Sequence, residues 1–231
     1  MAYRTLNAAC VVETISRLEL RIAARFPAAG LRSVCKTLHE TATRCAAEAE
    51  RLNQPALAVR LSVYGVWLLG AAALAWLVTS VHFEAVELEA APLIQILEPA
   101  MNIAVLVGIG VVSLGQRETR IKRARALDYL HELRSIAHVV DMHQLTKDPG
   151  RSGAKALPAT EHSPKETLPP ALLERYLDYC TEMLSLTGKL AALLAQSCKD
   201  AEVADAASDV ESLTTGLAQK IWQKMTLLKR P

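Results

Sequence analysis

Apolar side chains recur every three or four residues along most of the chain, and no segment alternates in the way that is typical of a strand. The four clearest stripes cover residues 11–26, 31–52, 173–198 and 203–228. The second stripe repeats as a heptad seam of small residues, which favours close packing against a neighbouring helix. A short connection around Asp200 predicts that the last two helices form an antiparallel hairpin. The sequence therefore predicts an all-α fold.

Two further segments are long and predominantly apolar. The first covers residues 61–81 and contains no charge. As a helix it would span roughly 31 Å, close to the hydrocarbon thickness of a bilayer. The second covers residues 96–115, and we expect its Pro99 in the first helical turn, where the missing N–H is harmless. These segments predict a two-helix transmembrane hairpin.

The basic residues around the hairpin predict its orientation. Seven of them flank the two spans on one side: Arg51, Arg60, Arg117, Arg120, Lys122, Arg123 and Arg125. The loop between the spans contains no Lys or Arg. Because an excess of Lys and Arg marks the cytoplasmic side, both termini are expected in the cytoplasm.

This topology divides the chain into five parts. They are an N-terminal cytoplasmic helical pair at 1–60, the transmembrane hairpin at 61–115, a post-membrane helix at 116–146, a linker at 147–169 and a C-terminal helical hairpin at 170–231. The linker is assigned because it is rich in Pro and Gly and has no apolar period.

The first apolar stripe has two interpretations. Arg17, Arg21 and Arg25 run beside it at a spacing of four residues. Such a helix either lies on anionic lipid or belongs to a soluble bundle with a solvated basic edge.

Glu98 and Asn102 form a candidate intramembrane polar site, since residues four apart share a helix face. Polar groups inside a bilayer are costly and often serve ions or protons. The alternative is that Glu98 is hydrated at the outer interface, which its position beside Pro99 favours.

Small residues form candidate helix-packing positions. In the spans they are Ala100, Ala104 and Gly108 on the second, and Ala71, Ala75 and Thr79 on the first. Such stripes let helix backbones approach closely, within one chain or between chains. In the C-terminal hairpin, Gly188 and Gly216 would come within one helical turn of each other. They mark either a close crossing or two tolerated glycines on exposed faces.

A histidine-rich segment at residues 131–143 is the most conspicuous polar feature. His131 and His138 are seven residues apart, and the helical rise between them, about 10.5 Å, is too large for one zinc ion with bonds of about 2.0–2.1 Å. Ser135 lies four residues after His131 and three before His138. Such a spacing of Ser and His on a helix often arises by chance, so it does not indicate a nucleophile. We therefore interpret His131, His138, Asp141 and His143 as a polar helix face that contacts either the other cytoplasmic helices or a partner.

The remaining chemistry points away from an enzyme. The net charge of +2 favours no nucleic-acid partner. The five cysteines lack metal-ligand spacing and are expected to be buried apolar residues in a reducing compartment. The sequence contains no glycine-rich phosphate loop, so we expect no cofactor, no metal and no catalytic residue.

Three stretches carry a resemblance. They are H-E-L-R-S-I-A-H-V-V-D-M-H-Q-L-T-K-D-P, R-Y-L-D-Y-C-T-E-M-L-S-L-T-G-K-L-A-A-L and L-T-T-G-L-A-Q-K-I-W-Q-K. Over residues 127–225 the chain resembles uncharacterised bacterial two-span membrane proteins. The order of helix, two spans and trailing helices is also similar to SLATT proteins, proposed membrane effectors of bacterial conflict systems. This second likeness is one of architecture only.

These observations lead to two expected functions. The first is a membrane-anchored helical scaffold or signalling adaptor in a bacterial inner membrane, which binds a second copy of itself or another protein. The alternative, which the SLATT-like architecture implies, is a small oligomeric channel or pore-forming effector.

Overall fold

The structure is a computed structural model that describes residues 5–54, 57–80, 90–147, 160–162 and 168–228. Six helices follow in chain order: α1 (Ala8–Arg25), α2 (Gly30–Asn53), α3 (Leu57–Ser80), α4 (Ala90–Leu145), α5 (Pro170–Ser197) and α6 (Ala201–Leu228). No strand occurs in these ranges, which confirms the all-α prediction. Most of the predicted linker lies outside the described residues, and so do residues 81–89, which include Val81 and the first part of the loop between the predicted spans.

The helices divide into two compact units. The first unit, here called the bundle, comprises Met1–Asn53 and Arg123–Pro231. It contains α1, α2, the last part of α4, α5 and α6. The second unit comprises Gln54–Lys122, with α3 and the first part of α4. The N-terminal pair, the post-membrane helix and the C-terminal hairpin therefore share one folding unit.

The predicted apolar stripes form the core of the bundle. Ile15, Leu18 and Ile22 of α1 have no exposed surface. The heptad seam of α2 is buried along its whole length, from Leu31 to Leu52. The apolar side of α1 therefore packs against this core, as the bundle interpretation of α1 predicts.

Local signals set the helix ends. The side chain of Asn7 caps α1, with its Oδ1 accepting from the backbone N–H of Ala9 at 2.9 Å. Pro170 opens α5, where a proline costs no hydrogen bond. Asp200 Oδ1 accepts from the backbone N–H groups of Glu202 and Val203 at 3.1 and 3.3 Å, so Asp200 caps α6. The short connection predicted around Asp200 is present.

The second unit exposes its apolar side chains. Leu68 and Trp76 of α3 are each 71% exposed, and Leu106 of α4 is 69% exposed. By length and composition, α3 and α4 are the two helices in the described residues that could cross a membrane. An added Cβ at Gly70 would collide with Val107, and one at Gly110 would lie 3.2 Å from Val66. Residue numbers thus rise along α3 as they fall along α4, and the two helices run antiparallel.

The position of Pro99 differs from the prediction. We expected the helix to begin near residue 96, with Pro99 in its first turn, but α4 begins at Ala90 and Pro99 lies inside it. Pro99 cannot donate to the carbonyl of residue 95, so it breaks one helical hydrogen bond. Membrane helices tolerate such prolines when neighbouring groups satisfy the backbone.

Candidate functional site

The structure separates the four residues of the predicted histidine-rich surface. His131 and His138 are exposed on one side of α4. His143 instead lies against the start of α2, where a Cβ added at Gly30 would be 2.7 Å from its Cε1 atom. Asp141 accepts from Gln144 Nε2 at 2.6 Å. Only His131 and His138 of the four therefore remain together on an open face.

Asp141 begins a polar chain between two helices of the bundle. Gln144, which is buried, accepts at Oε1 from Lys224 Nζ of α6 at 2.7 Å. The backbone carbonyl of Gln144 accepts from the same ammonium at 3.2 Å. Asp141 thus helps to hold α4 against α6, which is the first of the two predicted alternatives, a contact with another helix of this chain.

The exposed side of α4 also presents apolar residues. Met142 is 64% exposed and Leu145 is 55% exposed. They share a helix side with His131, His138 and Val139, because Met142 lies eleven, four and three residues after these and three before Leu145, all close to whole helical turns. We call these five residues the α4 face. Within the described residues, no group of three His, Cys, Asp or Glu side chains is arranged to hold a metal ion.

The two glycines of the C-terminal hairpin differ from each other. A Cβ at Gly188 would lie 3.0 Å from Thr214 Oγ1 and 3.9 Å from Glu211 Cα, so Gly188 lies at a close approach of α5 and α6. No atom lies within 4 Å of the corresponding position at Gly216. The crossing predicted for both glycines therefore involves Gly188 alone, because Gly216 is turned away from α5.

The small-residue stripe of α4 lines an open groove. Ala100, Ala104 and Gly108 face a cavity of about 470 Å³ together with Gly70 and Ala71 of α3. Gly108 has no neighbouring atom within 4 Å of an added Cβ. Among the glycines of the described spans, Gly70 and Gly110 lie close to the opposite helix, and the sequence reasoning did not single them out.

Glu98 and Asn102 are both exposed on α4. They lie four residues apart and therefore on the same helix side, as predicted. Both residues belong to the second unit and precede Gly108 along α4.

The bundle contains a polar cavity of about 460 Å³ between α2 and α4 that sequence reasoning missed. We call it the Glu48 cavity. Its lining is entirely polar or charged: Arg44, Glu48 and Arg51 from α2, and Arg125, Asp128, Tyr129 and Glu132 from α4. The α2 residues are spaced by four and three, which puts them on one helix face.

One wall of the Glu48 cavity is firmly paired. Arg44 forms an ion pair with Glu132 across the two helices. Thr41, which is buried, donates from Oγ1 to the same Glu132 carboxylate oxygen at 2.8 Å. Arg44 in turn donates to Thr41 Oγ1 at 3.1 Å. These contacts tie α2 to α4 and use most of the hydrogen-bonding capacity on this side.

Glu48 is the unusual member of the cavity. Only 5% of the residue is exposed, and its Oε1 atom has no hydrogen-bond partner. The nearest cationic groups are Arg125 Nη1, 3.7 Å from Oε1, and Arg51 Nη1, 3.7 Å from Oε2. Both distances are too long for a hydrogen bond. A buried, charged oxygen without a donor is costly, and native proteins rarely leave one without a function or a bound group.

Burial and nearby charge also affect the neighbouring tyrosine. The pKa of Tyr129 is raised, first by burial and then by the carboxylate of Glu48. Its phenol therefore stays protonated at neutral pH and can act as a hydrogen-bond donor or acceptor toward the cavity.

The cysteines differ in exposure. Cys35, Cys45, Cys180 and Cys198 are buried, as expected, whereas Cys10 is exposed. Burial raises the pKa of the thiols of Cys35, Cys45 and Cys180 to about 12. All five are free thiols. These buried thiols are protonated at neutral pH and behave as small apolar side chains.

No family model, no curated protein and no solved structure matches this chain.

Proposed function

We propose that this chain is a non-enzymatic, membrane-anchored helical scaffold. In this proposal α3 and the first part of α4 cross a bacterial inner membrane as a hairpin, and the bundle lies in the cytoplasm and binds another protein. The observation that carries the proposal is the contrast between the two units. The bundle buries most of its leucines, whereas Leu68, Trp76 and Leu106 of the second unit are 69–71% exposed.

A bilayer is the environment that accommodates this exposed surface. Soluble monomers rarely leave apolar patches larger than a few hundred Å² in water. Lipid tails remove that cost, and the helices satisfy their own backbone hydrogen bonds, as spanning segments must. The seven basic residues that flank the two spans favour the arrangement with both termini in the cytoplasm.

The α4 face is the surface that we assign to the partner. Met142 and Leu145 are exposed apolar side chains beside two exposed histidines. A flexible thioether next to polar groups is typical of protein-binding surfaces. The rest of the apolar side of this helix segment is already buried in the bundle, which leaves the α4 face open for a second chain.

A photocrosslinking amino acid tests this assignment in native membranes. Placed at Met142, it should give one dominant cross-linked product whose mass reports a second protein chain. The matched control is the same amino acid at Asp209, an exposed position on α6. A product of equal yield at both positions, or none at Met142, would contradict a partner at the α4 face.

A second function, a small oligomeric channel, is favoured by one observation. The groove beside Ala100, Ala104 and Gly108 is open and lined by small residues, as helices that pack against further helices often are. Glu98 and Asn102 would then lie in the conducting assembly. The SLATT-like order of helices also favours this alternative.

Ion flux separates the two functions. Purified chain in liposomes should give no flux above that of empty liposomes if the scaffold proposal holds. Flux that Glu98→Ala abolishes, with the protein still inserted, would replace the scaffold by the channel.

A further inference from the structure

The orphaned carboxylate of Glu48 faces a cavity that already contains cationic groups but receives no hydrogen bond from them. Arg51 and Arg125 each come within 3.7 Å of it. Their side chains are 72% and 59% exposed, so they cover Glu48 as long and mostly solvated arms. A small molecule can reach the Glu48 carboxylate only if one of these arms rotates away from it.

The charges of the cavity restrict what such a molecule can be. Three arginines and three carboxylates line it, so the formal charges cancel. Arg44 and Glu132 already satisfy each other. What remains is a buried acceptor at Glu48 and a second carboxylate at Asp128, beside the guanidinium groups of Arg51 and Arg125. A purely anionic ligand would meet the buried carboxylate, and a purely cationic one would meet two guanidiniums.

We propose that the Glu48 cavity binds a small zwitterion in which a primary ammonium lies a few ångströms from a phosphate, as in ethanolamine phosphate. The ammonium donates to Glu48, and Arg51 and Arg125 hold the phosphate. Charge-assisted hydrogen bonds of both kinds are short and strong, and the paired guanidiniums suit a phosphate. The cavity volume of about 460 Å³ accommodates a molecule of this size.

Two sources supply this chemistry, a free metabolite and a lipid headgroup. Two residues of the cavity are near the proposed spans in the sequence, and the first, Arg51, lies six residues before the start of α3 at Leu57. Arg125 lies ten residues after the end of the second predicted span, residues 96–115. The headgroup source rests on the proposed membrane anchor, whereas binding of the free zwitterion does not.

The test is calorimetric titration of the full chain in lipid-free detergent with O-phosphoethanolamine. Three further probes each lack one feature of the proposed ligand. O-phosphocholine has no N–H to donate, inorganic phosphate has no ammonium, and ethanolamine has no phosphate. We expect phosphoethanolamine to bind at least about tenfold more tightly than each of the others, the size expected for one hydrogen bond to a charged group. Equal binding of phosphocholine or phosphate, or no binding at all, overturns the proposal.

Matched variants assign the binding to the cavity. Glu48→Gln should weaken phosphoethanolamine binding about tenfold or more, whereas Glu40→Gln, at an exposed position on the same helix, should not. Arg125→Gln is compared in the same way with Arg32→Gln, and it carries the test if Glu48→Gln does not fold. Unchanged binding in both cavity variants contradicts the proposal.

Lipid analysis separates the two sources. The chain is purified from membranes in mild detergent, and the bound phosphatidylethanolamine is measured by mass spectrometry. If more phosphatidylethanolamine remains bound to the parent than to Glu48→Gln, the ligand of the cavity is the lipid headgroup. Binding of free phosphoethanolamine without such enrichment assigns the soluble zwitterion, and the site stands even if the membrane proposal fails. Failure of both readouts removes the site.

Discussion

The guanidinium of Arg123 donates two hydrogen bonds to the carboxylate of Asp200. Nε and Nη2 both donate to the Oδ2 atom, at 3.0 Å and 2.8 Å. Asp200 Oδ1 simultaneously caps α6. Arg123 is the first α4 residue in the bundle. One aspartate thus joins the start of α6 to the point where α4 enters the bundle.

Removal of this carboxylate should destabilise the bundle. Asp200→Ala loses the cap of α6, which typically costs about 0.5–2 kcal/mol, and also removes the two hydrogen bonds from Arg123, which keeps only its contact with Glu202. Thermal unfolding of the full chain in detergent measures the loss. Asp209→Ala, at an exposed position inside α6, is the control and should leave the midpoint unchanged or slightly raised. Equal midpoints for the two variants would contradict the role of Asp200.

The same contact predicts a dependence on pH. The hydrogen bond from Arg123 lowers the pKa of Asp200 below its ordinary value of 3.8. Because the folded-state pKa is the lower one, ionised Asp200 stabilises the fold above the unfolded-state pKa, and this contribution is lost as the pH falls through the folded value. The difference in midpoint between the parent and Asp200→Asn should therefore be largest near neutrality and shrink toward about pH 2. A difference that grows on acidification would show that the sign is wrong.

Gly188 and Gly216 should respond to alanine in opposite directions. An alanine at Gly188 must displace Thr214, which is buried and donates to the Glu211 carbonyl at 3.0 Å. Overpacking costs about 1–3 kcal/mol, more than the gain in helix propensity. Gly216→Ala meets open space and should stabilise by about 0.4–1 kcal/mol. Unfolding of the full chain measures both changes.

Thr214→Ala provides the control for this pair. If Thr214 is the obstacle, Gly188→Ala made in that background should lose most of its penalty, since the two residues are in contact. A penalty that persists unchanged would assign the cost to another neighbour of Gly188.

The apolar stripes of α1, α2 and α5 were predictable because helix periodicity alone decides which side can be buried. The cap at Asp200 was also readable as a turn, but its partner Arg123 was noticed only as a basic residue near a span. The pairing of Arg123 with Asp200 could not be predicted, because it depends on how α4 packs against the start of α6. The same limit applies to Asp141, whose contact with Gln144 and Lys224 arises only when α4 packs on α6.

The Glu48 cavity had a local signal that was overlooked. Glu48 lies three residues after Cys45 and four before Leu52, so a carboxylate stands on the side of the heptad seam. The lack of a donor there could not be foreseen, because it depends on the distances from Arg51 and Arg125. Likewise, the spacing of Ala100, Ala104 and Gly108 indicates a packing surface but does not show that Gly70 and Gly110 make the close contacts.

The thiols should fall into two classes. Cys10 is exposed, while the buried thiols of Cys35, Cys45 and Cys180 have a pKa raised to about 12. Because the thiolate is the reactive form, a water-soluble disulfide reagent should label one cysteine rapidly in the folded chain and all five after denaturation. Cys10→Ser should abolish the rapid phase. Rapid labelling that survives this change would mean that the bundle core is open to solvent.

The most direct test of the membrane-anchored arrangement is the compartment of two reporter fusions in a bacterial host. One joins a reporter that is active only outside the cytoplasm after residue 88, between the predicted spans, and the other joins it at the C-terminus. A two-span hairpin with a cytoplasmic bundle predicts an active reporter at residue 88 and an inactive one at the C-terminus. A reporter that is active only in the cytoplasm should give the reverse pattern. If both fusion points report the same compartment, the hairpin does not form and the scaffold proposal loses its anchor.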